Sequence, residues 1–470
     1  MLDKCDYFLQ LRENVMSKCI AAMATAAGKA SLCVVRISGD EAFSVAKKVF
    51  VPANKNKDVE KQKGYTALFG HAYRKGKEID QAVALFFAAP KSYTGENVVE
   101  ISCHGGSAVA DQLLKACYEA GAAPAEAGEF TKRAFLNGKM SITQAEAVIE
   151  MINATSSQAL SAAKSALEGH LYQKAKAVRD NLLVLVGHIT AYTDFPEEAV
   201  EEVSSEEIND ILNSAKNELK RLIDGYDNGA KIKNGVKTAI VGKPNVGKST
   251  LLNALSGFEK AIVTDIAGTT RDVVEQEVIL GGVNLILQDT AGIRQTEDIV
   301  EAMGIKRSMD RLKDAQLVFC VFDGSKETSE DDIQLAQQCQ NNNSIAIINK
   351  QDLQQKFDVS QIEKYFKKVL SITAKDFYLS KEFEDTVKQV LNLTYIDSDV
   401  AAVVNERQFE AVRLAYTAVC DACEAFDMGQ SLDIIGVCID DALYAIYRLT
   451  GENVSEEVVN EVFSKFCVGK

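Results

Sequence analysis

The stretch Gly242-Lys243-Pro244-Asn245-Val246-Gly247-Lys248-Ser249 constrains this chain more than any other. It follows the apolar run Thr238-Ala239-Ile240-Val241 and precedes a helical pattern, Thr250-Leu251-Leu252-Asn253-Ala254-Leu255. Strand, glycine loop and helix in that order are the context of a phosphate-binding P-loop. The glycines let backbone N–H groups turn inward around phosphates, and the helix N-terminus adds positive potential behind them. Lys248 can then reach the β- and γ-phosphates, and the Ser249 hydroxyl can hold Mg2+. The bland alternative is a glycine turn that merely opens a helix, and the segments that follow weigh against it.

Residues 232–395 alternate strands and helices. Strands are expected at 236–241, 274–280, 283–288, 317–322, 344–348 and 368–372. That pattern predicts a mostly parallel sheet with helices on both faces and ligand groups at the carboxyl ends of the strands. Asp289-Thr290-Ala291-Gly292 follows one strand, where an Asp can bind Mg2+ through water and a Gly N–H can sense the γ-phosphate. The run Thr264-Asp265-Ile266-Ala267-Gly268-Thr269-Thr270-Arg271-Asp272 lies where a switch loop belongs, with Thr270 a second candidate Mg2+ ligand. Asn349-Lys350-Gln351-Asp352 ends the strand Ile345–Ile348, and the Asp352 carboxylate can accept two N–H bonds from guanine. Thr373-Ala374-Lys375 resembles a last guanine-contacting turn. As isolated tetrads these are weak signals; in this order, each at a strand end, they specify GTP. Ile293 stands where a Gln orients the attacking water in Ras-type GTPases, and its side chain cannot hydrogen-bond. Arg271 and Arg294 read as surface charges no less than as arginine fingers, so another group must neutralise the transition state.

A length of 470 residues fits roughly three domains. The net charge of −15 argues against a broad electrostatic face for nucleic acid, so RNA contact is expected to be local or supplied by a partner. Eleven scattered cysteines form no framework, which fits reduced thiols and a cytoplasmic location. Cys420 and Cys423 fall in a helical pattern and read as packing rather than metal ligands. Residues 1–18 read as a loose extension without a signal-peptide pattern, with Met16 a candidate start, and no apolar run is long enough to span a membrane.

Residues 19–137 read as a mixed α/β domain with strands at Ser31–Ile37, Ala82–Phe87 and Val98–Cys103, then the turn His104-Gly105-Gly106 and a helix from Ser107 to about Ala120. Arg36 and Glu100 interrupt apolar runs, and simple alternation points each to solvent. Lys139 likewise reads as a solvated turn residue, and His104 as a turn residue or a base. Long helices are expected from about Met140, broken at Asp194-Phe195-Pro196-Glu197-Glu198, then again over Ser205–Tyr226 with Asp227-Asn228-Gly229 as a C-cap. Helices are also expected at Ala401–Phe426, at Leu432–Leu449 and from Val454 to Phe466. Helices before and after the nucleotide domain imply one helical domain into which it is inserted.

Taken together, the chain resembles the MnmE (TrmE) family of tRNA uridine-modifying GTPases over about residues 19–470. The resemblance rests on Val35-Arg36-Ile37-Ser38-Gly39, Ser92-Tyr93-Thr94-Gly95-Glu96-Asn97-Val98-Val99-Glu100, His104-Gly105-Gly106 and Gly128-Glu129-Phe130-Thr131-Lys132-Arg133-Ala134-Phe135-Leu136-Asn137-Gly138-Lys139. It continues through Thr143-Gln144-Ala145-Glu146-Ala147, Asp194–Glu198, the nucleotide motifs and the terminal Phe466-Cys467-Val468-Gly469-Lys470. Two segments depart from the family pattern: Ala26-Ala27-Gly28-Lys29-Ala30-Ser31 replaces Pro-Pro-Gly-Arg-Gly-Gly, and Thr373 replaces Ser.

The resemblance implies a multidomain α/β plus all-α protein. Its parts are a short extension (1–18), an N-terminal α+β folate-binding and dimerisation domain (19–137), a helical domain in two parts (138–231 and 396–470) and an inserted Ras-like P-loop GTPase domain (232–395). It implies GTP contacts from Asn245, Val246, Gly247, Lys248, Ser249, Thr250, residues Thr264 to Thr270, Asp289, Thr290, Ala291, Gly292, Asn349, Lys350, Asp352, Thr373, Ala374 and Lys375. Mg2+ falls to Ser249 and Thr270, and K+ in place of an arginine finger to Asn245, Thr264, the Ile266 carbonyl and Thr269. Glu301 matches the family's catalytic glutamate, which acts on the attacking water through a second water. Arg36, Glu100, Lys139 and Lys470 match contacts to 5-formyl- or 5,10-methylene-tetrahydrofolate, with Cys467 near that site. The implied assembly is a homodimer with an FAD-dependent MnmG-type partner that modifies C5 of the wobble uridine in certain tRNAs. Two other readings are a GTP-gated ribosome-assembly switch and a folate-dependent transferase with a regulatory G domain. The switch leaves Arg36, Glu100, Lys139 and Cys467 unexplained.

Overall fold

The computed structural model describes residues 18–26, 28–194, 204–256, 276–287, 314–340, 342–376, 380–392, 401, 403–452 and 456–470. Two compact units divide the chain, Met1–Ile149 with Ile446–Lys470, and Glu150–Ala445.

The first unit is built on a seven-stranded sheet. Its strands are β1 (Ile20–Met23), β2 (Leu32–Ser38), β3 (Phe50–Pro52), β4 (Thr66–Arg74), β5 (Lys77–Phe87), β6 (Val98–His104) and β7 (Ala123–Pro124). The order is β3-β4-β5-β6-β2-β1-β7, antiparallel except for the β1–β7 pair. Alternation explains which face is covered. Val35, Ile37, Phe86, Val99 and Ile101 point to one face, where helices Ala42–Val49 and Ser107–Glu119 bury Val45, Val49, Leu113 and Cys117 against them. A second cluster joins helix Glu129–Leu136, helix Ile142–Asn153 and the last helix, Glu456–Ser464, through Phe135, Ile142, Phe463 and Phe466.

β1, β3, β4 and β7 are additions to the strands expected from sequence. The solvent reading of two charges is also corrected. Arg36 on β2 and Glu100 on β6 are direct register partners, and their side chains pair at 2.8 Å.

In the second unit, helices His170–Asp194, Ser205–Asn234 and Glu406–Asp427 pack side by side, with Tyr226 stacked on Phe409 at 4.1 Å between ring centroids. Helix Ser205–Asn234 does not end at Asp227-Asn228-Gly229. It runs on to Gly235, whose φ of +75° breaks the helix directly before the next strand. Helix Glu406–Asp427 begins later than Ala401, because the Asn405 side chain caps it by accepting from the Gln408 N–H. Cys420 and Cys423 lie within that helix.

The nucleotide-type sheet has six strands: β8 (Val236–Gly242), β9 (Gln276–Leu280), β10 (Val283–Leu287), β11 (Leu317–Asp323), β12 (Ser344–Asn349) and β13 (Lys368–Ser371). Their order is β13-β12-β11-β8-β10-β9, parallel except for the hairpin β9–β10. Gly281 and Gly282, both at positive φ, make that hairpin turn. β11 and β12 are buried at every position, as strands covered on both faces must be. The arrangement places the carboxyl ends of β8, β11 and β12 side by side.

Candidate functional site

The P-loop is shaped by residues that only its sequence allows. Gly242 and Gly247 have φ of +155° and +103°. A Cβ on Gly242 would lie 2.5 Å from the Val321 carbonyl, and one on Gly247 would lie 2.1 Å from Asn349 Nδ2. Val246 is buried in the core and anchors the loop. Lys248 opens helix Lys248–Ser256, and its Nζ donates to the Gly242 carbonyl at 2.8 Å and the Lys243 carbonyl at 2.6 Å. The ammonium therefore arches over the loop, and burial pushes its pKa down. Ser249 and Thr250 follow in the first helical turn.

The guanine-type motifs converge on this loop. Asn349, 3% exposed, donates from Nδ2 to the Val246 carbonyl at 2.8 Å, while its Oδ1 accepts the Ala374 N–H at 2.8 Å. One side chain thus ties three separated segments. Lys350, at φ +66°, donates from Nζ to the Asn245 carbonyl at 2.9 Å and to Asp323 Oδ2 at 2.6 Å. Asn245 itself has φ +61°. Burial acts to raise the pKa of Asp323, but bonds from Lys350 and Ser325 outweigh it and leave the carboxyl below its ordinary value. Asp352 and Lys375 are exposed beside these anchors and Thr373 is half-buried. The loop is braced on another side by Lys243, whose Nζ meets Ser329 Oγ and, at 3.1 Å, Asp332 Oδ2. The P-loop and the guanine-type motifs therefore share one hydrogen-bonded frame.

Thr264, Asp265, Ile266, Ala267, Gly268, Thr269 and Thr270 lie outside the described residues, as do Asp289, Thr290, Ala291, Gly292, Ile293 and Glu301. Asn245 and Ser249 are the described members of the expected K+ and Mg2+ sets. Ser249 suits Mg2+ as a hydroxyl in the first turn of the helix behind the loop.

A second cluster lies in the first unit. The Arg36 guanidinium donates from Nε to Glu100 Oε1 at 2.8 Å and from NH1 to the Gly469 carbonyl at 3.4 Å. It sits 5.5 Å from the ring centroids of both Tyr93 and Phe130. The chain terminus is locked beside it. Ala127 bridges Val468, the Phe130 N–H donates to the Lys470 carbonyl at 3.2 Å, and a Cβ on Gly469 would meet the Met23 carbonyl at 1.9 Å. Lys139 is exposed, as a solvated turn residue is, and its Nζ donates to the Pro90 carbonyl at 3.0 Å. Cys467 is exposed. A carboxylate beside a guanidinium that packs against two aromatic rings is a polar set that can meet a ligand with complementary hydrogen-bonding edges. Arg133, 1% exposed, supports this region from below through Glu96 at 3.0 Å and Glu129 at 2.7 Å. His104 remains exposed, with its backbone N–H and Nδ1 both against Asp80, at 2.8 and 2.9 Å.

Residues 142–467 match the model of the MnmE helical domain, and residues 19–139 match that of the GTP-binding protein TrmE N-terminus. The tRNA modification GTPase MnmE of Clostridioides difficile (strain 630) is 37% identical over 454 residues, covering 96% of this chain and 99% of that protein. The chain belongs to the MnmE family. The MnmE of Thermoanaerobacter sp. (strain X514) is 38% identical, and that of Flavobacterium johnsoniae is also 38% identical, each over 96% of this chain and 99% of the relative. Among solved structures, a variant of Aquifex aeolicus Era bound to GDP.AlF4- matches 39% of this chain and 66% of its own, with 25% identity and a TM-score of 0.25.

Within the MnmE frame, three braces emerge from the structure alone: Asp323, which lies in no quoted motif, under Lys350, and Lys243 on the Asp332 cap and the buried Arg133 between Glu96 and Glu129, which lie in quoted segments that gave them no role. The available signal was an ionisable residue in or against an apolar run, such as Asp323 closing Leu317–Phe322.

Proposed function

We propose that this MnmE-family chain is a K+-activated GTPase that, with an FAD-dependent MnmG-type partner, modifies C5 of the wobble uridine of certain tRNAs. It hydrolyses GTP to GDP and phosphate. The observation that supports the GTPase part of this reading is the pair of hydrogen bonds of Asn349, to the Val246 carbonyl and from the Ala374 N–H, which joins the P-loop to the guanine-type motifs. In this account Asn349 and Asp352 orient guanine, while the loop N–H groups and Lys248 hold the phosphates. Ser249 and Thr270 would hold Mg2+, which supplies neutralising charge at the β- and γ-oxygens. Asn245, Thr264, the Ile266 carbonyl and Thr269 would hold K+, which supplies positive charge where an arginine finger would place it. Glu301 orients the attacking water through a second water, the role that Ile293 cannot fill.

Arg36, Glu100, Lys139 and Lys470 would hold a 5-formyl- or 5,10-methylene-tetrahydrofolate, which would supply the one-carbon unit. Glu100, held by Arg36, would offer its carboxylate to N–H groups of that ligand, and Tyr93 and Phe130 pack against the Arg36 guanidinium. The domain partition is 19–137 for folate and homodimerisation, 138–231 with 396–470 for the helical domain, and 232–395 for GTP. The GTPase domains pair across the homodimer, and hydrolysis drives their movement. The location is cytoplasmic, in keeping with a set of described cysteines that are all free thiols and with the absence of any membrane-length apolar helix among the described residues. Competition of a fluorescent GDP analogue by GTP, ATP and 5-formyltetrahydrofolate, each at one concentration series, tests the assignment. GTP alone should displace it, and 5-formyltetrahydrofolate should leave it bound while showing binding of its own in a calorimetric titration. Displacement by ATP as effective as by GTP refutes the guanine assignment, and no folate binding refutes the one-carbon site.

A further inference from the structure

Asp323 belongs to none of the nucleotide motifs, yet it stands at their junction. It ends β11 directly opposite Asn349, its register partner at the end of β12. Its carboxylate is 5% exposed and accepts Lys350 Nζ at 2.6 Å, Ser325 Oγ at 2.6 Å and the Ser325 N–H at 3.1 Å. The same Lys350 ammonium donates to the Asn245 carbonyl at 2.9 Å. Both residues joined by that bond adopt left-handed backbone, Asn245 at φ +61° and Lys350 at φ +66°. Such conformations persist in non-glycine residues when surrounding bonds over-determine them.

The corner around Asp323 is itself fixed. The Gly324 N–H donates to the Asn349 carbonyl at 2.9 Å, and Gln355 Nε2 donates to the Lys350 carbonyl at 2.9 Å. A Cβ at Gly324 would come within 2.2 Å of Gln355 Oε1. The carboxylate therefore has a single geometry, and a charge-assisted bond at 2.6 Å transmits it to the ammonium.

We propose that Asp323 is a positioning residue for the nucleotide site: it fixes the Lys350 ammonium, which in turn holds the Asn245 carbonyl and keeps the P-loop in register with the guanine-reading segment. The inference rests on the GTPase reading above and deepens it. Base recognition and phosphate recognition are coupled through a three-residue relay, Asp323, Lys350 and Asn245. Without the carboxylate, the ammonium turns to water, the two left-handed residues lose their clamp, and bound GDP escapes sooner.

The test is the release rate of a fluorescent GDP analogue from the full-length protein, measured for the wild type, Asp323→Asn, Asp323→Glu, Lys350→Met and the double variant Asp323→Asn with Lys350→Met. Asp323→Asn should release GDP about 10-fold faster or more, and Asp323→Glu should recover part of that loss. In the Lys350→Met background the Asp323→Asn change should add less than about 2-fold, because the relay is already cut. A thermal melt of each variant confirms folding. The proposal is overturned if Asp323→Asn releases GDP within about 2-fold of the wild type, or if its effect is undiminished in the Lys350→Met background. A wild-type chain that binds no GDP overturns the GTPase reading and this relay with it.

Discussion

Asn349→Asp changes one atom's chemistry at the centre of the nucleotide frame. The side chain keeps its shape, and one carboxylate oxygen can still accept the Ala374 N–H. The other oxygen, in place of Nδ2, faces the Val246 carbonyl across the 2.8 Å now spanned by a hydrogen bond. A donor is lost, a buried carbonyl is left unpaired, and two acceptors oppose each other. An unpaired buried acceptor costs about 1–3 kcal/mol, and bringing a carboxylate to a site this buried adds to it. Repacking that relieves the clash moves Val246, and with it the loop that must hold the phosphates. A loss of about 2 kcal/mol in nucleotide affinity corresponds to about 30-fold at 1.4 kcal/mol per tenfold. Titration of a fluorescent GDP analogue gives Kd, and a melting curve shows whether the variant remains folded. A Kd within about 3-fold of the wild type, in a folded variant, refutes the claim that Asn349 joins the P-loop to the guanine motifs.

Three further substitutions probe the remaining parts. Gly247→Ala places a Cβ 2.1 Å from Asn349 Nδ2 at φ +103°, so GDP affinity in the same titration should fall at least about 10-fold. Glu301→Ala should cut GTP turnover by about 10²-fold with nucleotide affinity nearly unchanged, read from single-turnover phosphate release; wild-type turnover would remove Glu301 from catalysis. Arg36→Met removes the guanidinium from between Tyr93 and Phe130 and leaves Glu100 without its partner, so calorimetric affinity for 5-formyltetrahydrofolate should drop by about 10-fold or more.

The nucleotide domain was legible in the sequence because its signals are local. β11 and β12 carry long apolar runs, Leu317–Phe322 and Ile345–Ile348, β8 carries the shorter run Ala239–Val241, and a motif sits where the runs of β8 and β12 stop. The first unit was harder. β4 reads Thr-Ala-Leu-Phe-Gly-His-Ala-Tyr-Arg, with small and polar residues, because Gly70 must let the β3 backbone approach; a Cβ there would lie 2.2 Å from the Val51 carbonyl. Pattern reading sees a weak strand where packing has made a close one. Arg36 and Glu100 were individually unremarkable charges in alternating strands. Only the register that sets them opposite one another turns two solvent-facing expectations into one ion pair. The family resemblance had singled them out without supplying that contact. Asp227-Asn228-Gly229 has the composition of a helix stop, but Gly235 supplies the left-handed residue just before β8, so the helix continues to it. Asp323 escaped notice because its partner Lys350 is 27 residues away in sequence.

We propose that a potassium ion held beside the P-loop, with Asn245 among its ligands, does the work of an arginine finger in this GTPase. GTP turnover of the full-length protein measured in K+ and in Na+ at equal ionic strength, for the wild type and for Asn245→Ala, addresses it directly. Wild-type turnover should be at least about 10-fold faster in K+ than in Na+, and Asn245→Ala should show no preference while GTP still binds. Equal wild-type rates in the two salts, or full K+ stimulation in the variant, would contradict it.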